Sequence, residues 1–334
     1  MPEPAVIAPD REPGAVTTAA LSGVGTALPA VAVPSSEIAA RLGIDASWIV
    51  QRTGIRERRI AGADETLTGL ATLAARRALA AADVDAAAVD LVLVATFTAD
   101  RLLPNAAPLV ADAIGARGAF ACDLGAACTG FLSGLALAAA QVESGRARTT
   151  LVIGADLMSR VTDRDDRKTA GLFGDGAGAV VIAPGAGGAG SIGRILLRSD
   201  AREADCIVAD NEERLIRMRG QDTFRAAVDG LGDITEELLA AEGLDVDDVD
   251  LFVYHQANAR IIHAVGDRLA LPGGRVVDCI EQLGNTSAAT LPLALAHAAR
   301  DGRLAPGDRV LIAAFGAGFV WGAGMLRWDA EVAS

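Results

Sequence analysis

Cys128, His255 and Asn285 are the residues whose types and settings could do chemistry together: a thiol, an imidazole and a carboxamide. Cys128 lies in GAACTGF, where Gly125, Ala126 and Ala127 form a tight run of small residues ahead of an apolar stretch that Gly145 ends. The stretch reads as a helix buried on every side, with Gly145 as its left-handed C-terminal cap. A cysteine at the N-terminus of such a helix faces unpaired backbone N–H groups and the positive end of the macrodipole. That setting lowers its pKa and enriches the nucleophilic thiolate. The alternative is a small core residue, the commonest setting of a free cysteine. His255, in YHQANARII, stands at the C-terminal end of an apolar strand beside Gln256 and Asn258, where α/β proteins place sites. A single histidine after a strand is also an ordinary structural residue. Asn285, in LGNTSAAT, is by default a helix N-cap.

To bring these three together, buried strands must end side by side. Ala19–Leu28, VDLVLVATFT at 89–98, AFACD at 119–123, TTLVIGAD at 149–156 and the end of FGDGAGAVVIAP at 173–184 read as strands. Helices are predicted over 36–42 and 67–82, with a charged patch, DASWIVQRTGIRERRI, at 45–60 between them. The chain then starts again. VDLVLVATFTADR at 89–101 resembles VDLFVYHQANAR at 249–260, with Asp90 matching Asp250. The helix opened by Cys128 ends at Gly145 and the one opened by Asn285 ends at Gly302, each 17 residues on. The two offsets, 160 (Asp90 to Asp250) and 157 (Cys128 to Asn285), nearly agree. This is the pattern of an internal duplication of a roughly 150-residue unit. Halves at 19–184 and 191–334, after a disordered leader at 1–18, would pack about a pseudo-twofold axis in a layered α/β architecture. Cys128 and Asn285 would be counterparts at equivalent helix starts, converging on one pocket with His255.

Other motifs have plainer readings. Pro292 should kink its helix or make the first turns irregular. FGAGFVWGAG at 315–324 is either a packing turn between strands or a source of backbone N–H groups aimed at developing negative charge. Asp175 in FGDGAGAVV reads as a structural turn residue, and His263 and His297 as structural. Gly185, Gly187 and Gly190 match a dinucleotide fingerprint in form only, because SIGRILLRS does not read as the helix it requires; they read as the link between halves.

Composition limits the function classes. The chain is 51% hydrophobic and 22% charged, enough to bury a sizeable core. A formal net charge of −13 argues against general binding to nucleic acid or an anionic membrane. Four cysteines without CxxC spacing and only three histidines make a zinc site unexpected. No run of about 18 apolar residues exists to span a membrane, and residues 1–18 lack the apolar core of a signal peptide. A cytoplasmic protein is expected.

In this order and spacing, GAACTGF, YHQANARII and GNTSAATLPLAL resemble the β-ketoacyl-acyl carrier protein synthase III family of the thiolase superfamily. SWIVQRTGIRERRI, FGDGAGAVV and FGAGFVWGA resemble the same family, so the likeness spans nearly all of the chain after the leader. The resemblance implies thiolase-like αβαβα layers, a homodimer, and condensation of an acyl-CoA with malonyl-acyl carrier protein. Cys128 would carry the acyl group, and the backbone N–H groups of Cys128 and Ala317 would form an oxyanion hole. Some members have glycine at the position of Ala317, and a backbone donor survives that change. His255 and Asn285 would hold the enolate formed as CO2 leaves. Trp48, Arg52 and Arg167 would bind the CoA adenine end, with Asn258 along the pantetheine channel. Leu103, reaching across the dimer interface, and Phe173 would line the acyl pocket. Arg225 and Arg260 would dock the acidic carrier protein, with Arg214, Arg217 and Arg219 adding charge nearby. No metal or organic cofactor is implied, acyl-CoA being a substrate. The rival readings are acyl transfer to an oxygen or amine acceptor without decarboxylation, and a non-catalytic scaffold subunit.

Overall fold

In the computed structural model, which describes residues 17–185, 188 and 190–333, buried apolar runs become strands and alanine-rich runs the helices that cover them. The leader assigned to 1–18 lies outside the described residues up to position 16, and the first strand already begins at Thr18. Gly187 of the glycine-rich link also lies outside them.

The first part of the chain runs through β1 (Thr18–Ala27), β2 (Val31–Pro34), α1 (Ser35–Leu42), α2 (Ala46–Thr53) and β3 (Glu57–Ile60). It continues through α3 (Leu67–Ala81), β4 (Leu91–Ala95), α4 (Ala106–Ile114), β5 (Phe120–Leu124), α5 (Gly130–Glu143), β6 (Thr150–Leu157) and β7 (Asp175–Gly185). The second part comprises β8 (Ile192–Ser199), the short β9 (Ile207–Val208) and β10 (Arg217–Met218), and α6 (Gly220–Glu242). It closes with β11 (Leu251–Tyr254), α7 (Ala259–Arg268), α8 (Ile280–Leu283), α9 (Thr290–Arg300), β12 (Arg309–Gly316), β13 (Val320–Arg327) and β14 (Glu331–Val332). The charged patch at 45–60 is not one element: it holds α2 and the strand β3, which pairs antiparallel with β2.

The strands form a six-stranded sheet, β14-β1-β7-β6-β4-β5, and a four-stranded sheet, β11-β12-β13-β8. The order β1-β7-β6-β4 of one is the order β8-β13-β12-β11 of the other. Helices α5 and α9 share a core with strands of both sheets. Helices α3 and α4 cover the outer face of the first sheet, and α6 and α7 that of the second. Five layers result, α-β-α-β-α. Helix α5 is not buried on every side, however: Leu137 is 48% exposed, and Ala140, one turn on, is exposed as well. Among the described residues no helix is long and apolar enough to cross a membrane.

The repeat is visible in these elements, with a correction to its register. A single shift of 160 residues carries Leu91 onto Leu251, the 3₁₀ turn Ala127–Thr129 onto the turn Ser287–Ala289, and Gly130 onto Thr290, the first residues of α5 and α9. The counterpart of Cys128 is therefore Ala288, not Asn285. Helix α9 has 11 residues where α5 has 14, so matching the helices by their terminal glycines displaces the alignment by one turn. Pro292 produces no kink; it sits in the first turn of α9, where its missing N–H has no intrahelical acceptor to lose.

Close approach of the layers depends on Gly154 in β6. A methyl group there would overlap the Ala288 carbonyl oxygen, which is backbone and cannot swing aside. Gly154→Ala is expected to cost roughly 2–4 kcal/mol of stability, read from the midpoint of urea unfolding; an unshifted midpoint would contradict the packing described.

Candidate active site

Strand ends from both sheets and the 3₁₀ turn Ala127–Thr129 open onto one cavity of about 1200 Å³. Cys128, His255, Asn285 and Ala317 all line it. Each arrives by a different local device.

Cys128 is the middle residue of the turn Ala127–Thr129, which ends where α5 begins at Gly130. Ala127 takes φ 44°, and the Thr129 hydroxyl donates to the Ala126 carbonyl at 2.7 Å. Gly316, at the end of β12, packs so closely that a Cβ on it would lie 3.0 Å from the Cys128 backbone nitrogen. The chain after Gly316 then reverses into β13, so the 315–324 segment is a turn between paired strands and also brings Ala317 to the cavity.

The expected thiolate is not what this setting favours. Cys128 is half-buried, opening onto the cavity, and burial pushes its thiol up to about 12. The Ser287 hydroxyl acts to lower it, and the charge of Asp156 adds to the rise. A helix end supplies about 0.3–1 kcal/mol, under one pKa unit, whereas burial can move a group by up to ~3–5 units. Desolvation wins, and the resting nucleophile is a neutral thiol.

His255 follows β11 and is 2% exposed. Its backbone N–H donates to the Ala313 carbonyl of β12 at 2.8 Å, which fixes the residue at the strand end. Its Nδ1 is buried without a hydrogen-bond partner, and burial holds the imidazole down to about 3. It is neutral across the physiological range. Gln256 is spent on structure: its amide donates to the Tyr254 and Val277 carbonyls, and its oxygen accepts from Cys279 N–H at 2.9 Å.

The His255 shift has a consequence for acid stability. An imidazole that titrates near 6.5 when unfolded and near 3 when folded binds its proton more readily in the unfolded chain. Its contribution is intact above about pH 6.5 and is lost as the pH falls toward 3. Thermal melts are expected to lose Tm over that window more steeply in the wild-type protein than in His255→Gln. Parallel slopes would contradict the buried neutral imidazole.

Asn285 is not a helix N-cap. Its backbone bridges to Phe173, donating to Leu172 O and accepting from Gly174 N–H, both at 3.0 Å. Its side-chain oxygen accepts from Ser287 N–H at 2.9 Å, which leaves the NH2 group as the donor available to the cavity. Phe173, tied to the same bridge, lines the cavity as expected.

At the mouth, the Arg52 guanidinium lies over the Trp48 ring, 4.1 Å from its centroid, a cation–π pair. Asn258 caps α7 by accepting from Arg260 N–H at 2.9 Å and donates to the Arg52 carbonyl at 3.0 Å, so it joins α2 to α7. Arg167 donates to the Leu42 carbonyl at 3.3 Å, and the Arg260 guanidinium lies 5.7 Å from the Phe224 ring centroid. Arg167, Arg219, Arg225 and Arg260 all line the cavity, and so does Lys168. Arg217 does not; it pairs with Asp163 and Glu213. Arg214 also stands apart from the lining.

Leu103, expected to reach across a dimer interface, stands apart from the single chain's site. It is 81% exposed and does not line the chain's own cavity. Phe97, just beyond β4, and Met158, just beyond β6, line it instead. Phe97 was hidden in the sequence as one more apolar residue of a strand-like run. Asp175 is more than a turn residue: buried at the start of β7, it accepts from Ala61 N–H, Ser159 N–H and the Ser159 hydroxyl.

Family profiles match this arrangement. That of 3-oxoacyl-(acyl-carrier-protein) synthase III matches residues 122–201, and that of its C-terminal region matches residues 239–328. The β-ketoacyl-(acyl-carrier-protein) synthase III of Erythrobacter litoralis is 44% identical over 318 residues, covering 93% of this chain and 99% of the relative. The chain belongs to the β-ketoacyl-acyl carrier protein synthase III family. Solved structures of the family superpose throughout. The 3-oxoacyl-(acyl carrier protein) synthase III of Pseudomonas aeruginosa gives a TM-score of 0.90 at 42% identity, covering 94% of this chain and 99% of that one. The priming β-ketosynthase of a polyketide biosynthetic pathway gives 0.90 at 36%, covering 96% and 99%. The five layers described above are thus the thiolase-like fold of this synthase family.

Proposed function

We propose that this synthase initiates fatty-acid or polyketide chains by decarboxylating condensation of an acyl-CoA starter with malonyl-acyl carrier protein. The observation that carries this is one cavity holding a thiol, a neutral imidazole, a carboxamide and the Ala317 backbone behind a mouth with Trp48 stacked on Arg52. The Cys128 sulfur attacks the acyl-CoA thioester carbonyl, and its proton leaves with the CoA sulfur, giving acyl-Cys128 and free CoA. Malonyl-acyl carrier protein then enters. Its C–C bond to the carboxylate breaks, CO2 departs, and the electron pair forms an enolate at the thioester. His255 donates its ring N–H, and Asn285 its amide N–H, to the enolate oxygen. A neutral imidazole suits this role because it keeps a proton to donate and leaves the enolate unprotonated at carbon. The carbanion attacks acyl-Cys128, backbone N–H groups of Cys128 and Ala317 hold the tetrahedral oxyanion, and collapse expels the Cys128 sulfur as thiolate, which takes from solvent the one proton the condensation consumes. The reading needs no metal or organic cofactor, since decarboxylation itself makes the carbanion.

CoA would be held by Trp48, Arg52 and Arg167 with Asn258 along the channel, and Arg225 and Arg260 would meet the acidic carrier protein. A homodimer fits the exposed apolar groups: Leu102 and Leu103 are 86% and 81% exposed, and Phe120 is 65% exposed on β5, whose outer edge pairs with no strand among the described residues. Leu103 of each subunit would then close the acyl end of the other's cavity, with Phe97 and Phe173. A cytoplasmic setting suits CoA substrates and the four free cysteines. The deciding assay follows 14C-labelled CO2 from malonyl-acyl carrier protein in the presence of acyl-CoA. CO2 release matched by β-ketoacyl product supports the reading, and acyl transfer to an oxygen or amine acceptor without CO2 release overturns it.

A further inference from the structure

Arg58, in β3, is fully buried and takes no part in the chemistry above. Its Nη2 donates to the Gly171 carbonyl at 2.7 Å and its Nη1 to the Val33 carbonyl of β2 at 3.2 Å, while Nε has no partner. Burial pushes the guanidinium down to about 10, so it stays charged at neutral pH, and the charge that acts on it is that of Glu57, its neighbour on the strand. A buried cation held by carbonyls costs more to place than a hydrocarbon of its size, so packing alone does not account for it. Gly171 opens a segment tied at both ends to β3. Arg58 holds the Gly171 carbonyl, and the Asp175 carboxylate accepts from Ala61 N–H, one residue past β3, at 2.8 Å. Between these ties, Leu172 and Gly174 carry the two backbone bonds of Asn285, and Phe173 lines the cavity. The stem of Arg58 packs against the glycines on either side of that bridge. A Cβ on Gly174 would lie 3.0 Å from the Arg58 Cβ, and one on Gly284 3.3 Å from it. Strand β3 reaches the far side of the bridge too, where Arg56 N–H donates to the Glu281 carbonyl at 2.9 Å. The buried cation thus sits behind the bridge that delivers Asn285.

We propose that Arg58 is a positioning residue for the condensation step: it fixes residues 171–175 against β3 and so sets where Asn285 and Phe173 stand in the cavity. This role rests on the enolate donation proposed above for Asn285, whose NH2 group matters at decarboxylation and not at acyl loading. Loading uses Cys128 and Ala317, which stand on the turn before α5 and just after β12, and Arg58 bonds to neither. A guanidinium suits the task because its planar fork holds two carbonyls on different segments in one fixed geometry, which a single ammonium on a flexible stem does not. Loss of the fork leaves the Gly171 carbonyl unpaired and frees one end of the segment. A displacement of about 1 Å at a catalytic group can cost about 10²-fold in rate, so a small shift of residues 171–175 is enough to be read.

The test compares two half-reactions in the full-length protein. One is acyl loading of Cys128, read by intact mass spectrometry, from whichever of acetyl-, isobutyryl- and octanoyl-CoA the wild type loads fastest. The other is release of 14C-labelled CO2 from malonyl-acyl carrier protein by the loaded enzyme. Arg58→Lys, which keeps the charge, is expected to load within about twofold of wild type and to release CO2 about 10–10²-fold more slowly. Asp175→Asn frees the other end of the same segment and is expected to show the same split, which keeps the test decisive where Arg58→Lys fails to fold. A purely structural role lowers the folded fraction and cuts both half-reactions by one factor. Losses in equal proportion, or no loss of CO2 release, in either variant would overturn the proposal. Wild-type protein that loads acyl groups but releases no CO2 would instead refute the condensation itself, and the role of Arg58 with it.

Discussion

Replacing Cys128 with alanine is expected to abolish the acyl-enzyme and to lower condensation by at least about 10³-fold. Intact mass spectrometry after incubation with acyl-CoA reads the first effect directly, as the absence of the acyl mass increment. No other thiol can substitute. Cys206 and Cys279 are buried, and burial pushes the Cys279 thiol up to about 12. Cys122, on β5, does not line the cavity. The variant should keep its fold, because the lost sulfur faces the cavity and the change opens no void in a packed layer. An acyl group found on Cys122, Cys206 or Cys279 instead would remove the basis of the mechanism.

Asn285→Ala is expected to split the reaction. Acyl loading of Cys128 persists, while decarboxylation and condensation fall by about 10²–10³-fold, the cost of removing one donor from developing negative charge. The backbone bonds of Asn285 to Leu172 and Gly174 survive the change, so the Phe173 segment keeps its place. What the truncation also removes is the acceptor for Ser287 N–H. Asn285→Asp retains an acceptor oxygen of the same reach for Ser287 N–H, while it replaces the N–H donor with a carboxylate oxygen that repels the enolate. Both variants should load acyl groups and fail to release CO2 from malonyl-acyl carrier protein. Normal condensation by either would refute the enolate-holding role.

Much of the scaffold could be read from local pattern. Strands such as Leu91–Ala95 and Thr150–Leu157 announce themselves as short β-branched runs, and Leu67–Ala81 as an alanine-rich amphipathic helix, because side-chain periodicity follows backbone geometry. The repeat was legible too, since Asp90 and Asp250 do the same work in both halves, each accepting backbone N–H groups at the start of the next strand of its sheet. Its register at the active site was not. A three-residue difference in helix length, invisible when helices are matched by their terminal glycines, made Asn285 look like the partner of Cys128. In the fold it arrives by a different route, on the Phe173 bridge.

Residue identity alone determined that a thiol, an imidazole and a carboxamide were available at element ends, and ordered motifs around them pointed to one family. Only the folded chain decided what state they are in. Whether Cys128 rests as thiol or thiolate turns on how much water reaches it, which the layers packed around the turn Ala127–Thr129 decide. Whether Leu103 belongs to a pocket turns on a surface that one chain leaves open. Desolvation and contact are properties of assembled layers, and no stretch of sequence carries them by itself.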